Sequence, residues 1–158
     1  MTKEEWWNKY DSKELCEKYP NKIKEWWDPE KFDWKYLWAL AQYCSEYFNI
    51  WWDANKWNWK NGSWVLAKYC TKYFKIWWDP KKFNWKTDSK TLAENCLDYF
   101  DIWWDAEKFN WRDGKDKLTK YCSSRFTDLQ LKQLLLHPNK LAREFAIEEL
   151  KRRENDKR

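Results

Sequence analysis

The sequence predicts an all-α fold, an α-solenoid of short two-helix repeats of about 26 residues closed by terminal caps, and three observations point to it. The stretch Ile76-Trp77-Trp78-Asp79-Pro80-Lys81-Lys82-Phe83-Asn84-Trp85 recurs nearly intact at residues 50–59 and 102–111, and more loosely at 25–34. Cys44, Cys70 and Cys96 stand 26 residues apart, each among apolar residues at helical spacing. Aromatic residues make up 22% of the chain, with 17 Trp, while 36% of residues are charged and the mean hydropathy is −1.14. A few large rings must therefore fill the interior between solvated faces, as in arrays whose units bury their apolar sides on one another.

Without a long Gly/Ser/Pro linker, the 158 residues read as one repeat domain: 1–10 an N-terminal half-repeat cap, 11–34, 35–59, 60–85 and 86–111 the repeats, and 112–158 a divergent repeat with a C-terminal cap. Thr2-Lys3-Glu4-Glu5 has the form of a capping box and opens a short helix carrying Trp6 and Trp7. In the unit that follows, Pro20 stands where later units have Phe48, Phe74 and Phe100, and Tyr19-Pro20-Asn21-Lys22 delays Trp26-Trp27. Proline inside a helix removes a hydrogen bond and clashes with the preceding turn, so a break and an irregular first repeat are expected there.

The third unit shows the pattern best. Leu66, Cys70, Tyr73, Phe74, Trp77 and Trp78 form a helical stripe, widened by Tyr69 and Ile76, which predicts a helix from about Ser63 to Trp78. Asp79 then suits an N-cap and Pro80 the first helical position, as do Asp28-Pro29, Asp53-Ala54 and Asp105-Ala106. A second, two-turn helix from about Pro80 to Trp85 is expected, held by packing Phe83 and Trp85 on the first. Asn61-Gly62 is also a strong hairpin signal, but the matching junctions are Lys35-Tyr36, Thr87-Asp88 and Asp113-Gly114, so a hairpin shared by all units is not encoded.

The fifth unit keeps Leu118, Cys122 and Phe126 but loses the Trp-Trp-Asp element. Thr127-Asp128-Leu129-Gln130 is another capping box, leading into Leu131, Leu134, Leu135 and Leu136, a break at His137-Pro138-Asn139, and a charged helix with Leu141, Phe145, Ile147 and Leu150. Leu131, Leu134, Leu135, His137, Pro138, Asn139, Arg143, Ala146 and Leu150 together resemble the paired helices of HEAT-like repeats. The resemblance implies an α-solenoid scaffold with a HEAT-like C-terminal cap and, by analogy, a binding role. Glu148 to Arg158 reads as a polar, fraying tail.

Bulk properties narrow the function classes. A charge of +5 and a pI near 8.8 fall short of the footprint of a dedicated nucleic-acid domain, pI above about 9. No uncharged run approaches the ~20 residues that cross a bilayer and no apolar leader opens the chain, so a cytoplasmic protein without a membrane partner is expected. Five Cys without a Cys-x-x-Cys pair, and a single His, His137, argue for reduced, buried thiols and no metal or other cofactor. No Gly-rich phosphate loop or Ser-His-Asp set is present, so an enzyme is not expected.

Three groups of residues carry the functional reading. The Trp-Trp pairs suit base stacking or a ligand cage, but helical spacing favours the core. Two basic rows, Lys31, Lys56, Lys82 and Lys108, and four residues later Lys35, Lys60, Lys86 and Arg112, share a face and suit phosphates or an acidic protein. The plainer reading is that they sit at a helix C-terminus and lie over Trp rings. The position six before each Cys runs Tyr10, Trp38, Trp64, Lys90 and Asp116, too varied for a core site. Tyr10, Trp38 and Trp64 are therefore candidate interface anchors, or else shields for the first repeat junction. The expected function is a non-catalytic scaffold for an acidic or amphipathic protein partner; the alternative is sequence-independent binding of nucleic-acid phosphates.

Overall fold

The repeat folds into helices, but they divide at a different residue from the one the sequence marks. The computed structural model describes residues 1–158, 72% of them helical and none in a strand. Asn61 and Gly62 accordingly lie inside a helix, not in a hairpin turn. No helix is long and apolar enough to cross a membrane. The chain forms two compact units, Met1–Phe83 and Asn84–Arg158.

In the first unit the helices are α1 (Lys3–Lys9), α2 (Ser12–Lys18), α3 (Ile23–Trp26), α4 (Leu37–Tyr43), α5 (Phe48–Trp51), α6 (Trp59–Tyr69) and α7 (Phe74–Trp77). The expected helix from Ser63 to Trp78 is thus two helices. The longer, α6, starts earlier, at Trp59, and ends at Cys70, whose φ −116 and ψ 28 leave the helical region. A 3-10 turn, Thr71–Tyr73, follows and leads into α7. The cause is a hydrogen bond that periodicity does not reveal: Trp77 Nε1 donates to the Cys70 carbonyl at 2.8 Å. Tyr73 N–H takes the other lone pair of that carbonyl at 3.0 Å, so both acceptor sites of a helix end are satisfied. Trp51 does the same for Cys44 at 2.7 Å and Trp26 for Tyr19 at 2.8 Å.

The expected second helix, Pro80 to Trp85, is a single turn. Asp79 Oδ1 accepts the Lys81 N–H at 2.9 Å and the Asp79 carbonyl accepts Phe83 N–H at 3.0 Å, after which Asn84 leaves the helical region. The long helices α6, Trp85–Asn95 and Trp111–Cys122 follow the N-cap residues Asn58, Asn84 and Asn110, and Asp33 holds the same place before the 3-10 turn Trp34–Tyr36 that leads into α4. Asn58 Oδ1, for example, accepts Asn61 N–H at 3.2 Å.

This geometry also corrects the first repeat. Pro20 opens a 3-10 turn, Pro20–Lys22, at the place of Ser45 and Thr71, where its missing N–H costs nothing. Ile23 occupies the place of Phe48, so the repeat is regular. Cys16 lies three residues before its helix cap Tyr19, as Ala41 does before Cys44, and is not the counterpart of Cys44.

Rings form the core as the helical spacing implied. Trp26, Trp51 and Trp77 are 0–1% exposed. Their neighbours Trp27 and Trp52 are half-buried and meet Trp34 and Trp59 edge to face, at 85° and 86°. Gly62 lets one ring come close: a Cβ there would stand 2.7 Å from Trp57 Nε1 and 2.8 Å from Leu37 Cδ1. Gly62→Ala is therefore expected to lower stability by about 1–3 kcal/mol through overpacking, although alanine in a helix normally gains about 1 kcal/mol over glycine. Thermal unfolding followed by circular dichroism checks the sign; a raised Tm would refute the packing account.

The second unit contains α8 (Trp85–Asn95), α9 (Phe100–Trp103), α10 (Trp111–Cys122), α11 (Asp128–Leu134) and α12 (Lys140–Asp156). Trp103 Nε1 again donates to Cys96 O at 2.8 Å, and Trp104 meets Trp111 at 88°. Both halves of the Thr127 capping box form, at 3.1 and 2.9 Å, as do those of Thr2 and Glu5. Because α11 stops at Leu134, Leu136 is 88% exposed and takes no part in the core. The C-terminus is not a frayed tail: α12 runs to Asp156, with Arg153 bonded to Glu149, Asp128 and two carbonyls.

Candidate binding surface

Among the tryptophans of Met1–Phe83, Trp38 and Trp64 stand apart, because each of the others meets at least one neighbouring ring and these two meet none. The only aromatic interaction of Trp38 is with the Lys13 ammonium, 6.0 Å from its ring centre. Trp64 is 39% exposed, and neither indole N–H donates to a protein acceptor.

The two rings come from equivalent positions on α4 and α6, six residues before the caps Cys44 and Cys70, and these helices pack against each other. Between them lies a groove of about 440 Å³, walled by Trp34, Leu37, Trp38 and Trp64 and edged by Lys35, Asn58 and Asn61. Asn58 spends its side-chain oxygen on the α6 cap, so its amide hydrogens remain for a ligand. The Trp34 indole is committed to the Pro29 carbonyl at 3.1 Å. The lining contains one cation and no carboxylate, and Lys35 is held by Asp33 at 2.8 Å.

Tyr10 lies elsewhere. It ends α1, its hydroxyl accepts from Tyr19 at 2.8 Å, and it lines a separate depression with Trp7, Lys31 and Lys35. Measured from the helix caps, the residue matching Trp38 and Trp64 is Lys13, so Tyr10 entered that row through the misplaced Cys16.

The basic rows sit differently from expectation. Lys31, Lys82 and Lys108 are exposed on the single turns, while Lys56 is tied to Glu30 at 2.5 Å. Lys35, Lys60, Lys86 and Arg112 are each second in the helical segment after its cap, at the N-terminus of the segment and not at a C-terminus. A helix dipole disfavours cations there, so this row is not explained by helix stability.

The five thiols are free and buried. Burial pushes Cys70 and Cys122 up to about 12, and the contact with Cys44, together with burial, pushes Cys16 up further, which leaves these three protonated and unreactive.

One polar site had no signal in the sequence. His137 Nδ1 accepts the Asn139 N–H at 3.0 Å, which leaves the proton on Nε2, 3.1 Å from Glu107 Oε1. That contact lies off the hydrogen-bond line, so Nε2 has no proper acceptor. The imidazole borders a depression with Trp104, Glu107, Gln130 and Gln133, and no Ser, Thr, Cys or Lys lines it. No group of three or more His, Cys, Asp or Glu is arranged to hold a metal ion.

No protein-family model matches the chain, and neither a curated protein nor a solved structure is significantly similar to it.

Proposed function

We propose that the protein is a non-catalytic binding scaffold, an α-solenoid with a HEAT-like cap, that works in the cytoplasm and holds a protein partner in the Trp38–Trp64 groove. The observation behind this reading is the pair of rings left without ring partners in a chain that otherwise pairs its tryptophans. An indole buries about 150–250 Å² when covered, and truncated tryptophan anchors cost about 2 kcal/mol or more, roughly 30-fold in affinity. Lys35 at the rim and the absence of a lining carboxylate suit an acidic or amphipathic segment.

Selection from a displayed random-peptide library tests it. Wild type should enrich peptides whose affinity falls about 30-fold or more in Trp38→Ala and in Trp64→Ala, with circular dichroism unchanged. Full affinity in both variants would remove the groove as the binding site.

The second reading, binding of nucleic-acid phosphates, draws on Lys35, Lys60, Lys86 and Arg112, cations at helix starts where backbone N–H groups already favour anions. Anisotropy of labelled single strands and duplexes across a salt series decides it. Phosphate binding requires affinity to fall steeply with salt, and no binding at low salt ends this alternative.

A further inference from the structure

We infer that the Trp38–Trp64 groove takes a proline-rich segment in the polyproline II conformation, a proposal that rests on the peptide-binding reading above. Two properties of the groove select this ligand class: its spacing and its hydrogen-bonding character.

The two rings occupy equivalent positions on helices packed side by side, so their separation follows the interaxial spacing, about 8–10 Å. Polyproline II advances about 3.1 Å per residue with three residues per turn, so residues i and i+3 on one face are about 9 Å apart. Consecutive turns of such a ligand therefore set a pyrrolidine against each indole without bending.

The uncommitted polar groups of the lining are mostly donors: the indole N–H of Trp38, that of Trp64 and the amide hydrogens of Asn58 and Asn61, with the Asn61 side-chain oxygen as an acceptor beside them. A proline-rich chain has outward-facing carbonyls with no internal partner and few N–H groups of its own, so its acceptors meet these donors. An amphipathic helix keeps most of its carbonyls in its own ladder and would bury the indole donors without acceptors. Strand addition needs a sheet edge, and the chain has no strand.

The test uses the full chain and three fluorescein-labelled probes: decaproline, a decamer in which alanine replaces every third proline, and an amphipathic helical peptide. Decaproline should bind in the micromolar range, weaken about tenfold or more in Trp38→Ala and Trp64→Ala, and weaken several-fold in Trp64→Phe, which keeps a ring but loses the donor. The alanine decamer keeps two unbroken i, i+3 proline faces and should bind within about threefold of decaproline. Decaproline that fails to bind, or that binds equally to the alanine variants, overturns the proposal. If displayed peptides or the helical probe bind instead and are lost in the same variants, the proline class is wrong but the groove still binds peptides. If no peptide shows Trp38- or Trp64-dependent binding, both readings fall. Trp64→Phe preserves bulk at a 39% exposed position, so the comparison survives even if an alanine variant unfolds.

Discussion

Trp51→Ala is expected to lower stability by about 3–5 kcal/mol, and Trp51→Phe by about 1–2 kcal/mol. Trp51 is 1% exposed, meets Phe48 at 5.0 Å and Trp57 at 5.6 Å, and donates to the Cys44 carbonyl at 2.7 Å. Alanine removes a large ring from a closed interior and leaves a cavity that the short helix α5 cannot fill. Phenylalanine keeps most of the volume, so its cost isolates the indole donor; Tyr47 N–H still serves the same carbonyl at 3.0 Å, which limits the loss. The adjacent Trp52 is the control. It is half-buried, its indole donates to no protein acceptor, and it stacks on Phe48 at 5.1 Å, so Trp52→Phe should cost under about 1.5 kcal/mol. Urea titrations of the three variants would give that ranking; equal losses for the two phenylalanine variants would mean that the carbonyl bond does not determine where α4 ends.

The contrast between Trp51 and Trp52 also explains how far the sequence could be read. Fixed spacing revealed the repeat, and the 100° offset of adjacent helical residues turned one Trp of each pair inward. The bond from Trp51 to Cys44 leaves no periodic trace, because the seven-residue interval also continues an uninterrupted helix by two turns. Asp79-Pro80 was legible as a cap but drew attention from Asn84, whose equivalents Asn58 and Asn110 precede the long helices at the same interval. Trp38 and Trp64 stood out from the core rings because their row tolerates Lys and Asp, whereas Tyr10 was drawn in by Cys16, which lies three residues from the true register. His137 and Glu107 come together only through the packing of the second unit, and no local pattern links them.

Arg153→Met is expected to cost about 3 kcal/mol and to flatten the acid sensitivity of the second unit. The guanidinium donates to Glu149 at 3.0 Å, to Asp128 at 2.8 Å, and to the carbonyls of Ser123 and Phe126, both at 2.8 Å. It thereby joins α12 to the end of α10 and the start of α11. Glu149 is 5% exposed, and methionine would leave it with Arg152 alone while stranding two carbonyls. Hydrogen bonds from Arg152, and then from Arg153, hold the Glu149 carboxyl below the usual range, and Arg153 does the same for Asp128. A carboxyl whose folded value is depressed contributes stability that is complete above its unfolded value, about 4.3 for Glu and 3.9 for Asp, and is lost as pH falls through the folded value. Wild type should therefore lose stability progressively below about pH 4.5, and Arg153→Met should start lower but fall less steeply across the same window. Urea midpoints at pH 3, 4, 5 and 7 (about unit steps through the carboxyl range) measure both effects. Parallel curves for the two proteins would show that Arg153 does not set the protonation of Glu149 and Asp128, and a loss below about 1 kcal/mol at neutral pH would show that the joint is carried by apolar packing of Phe145 and Leu131 instead.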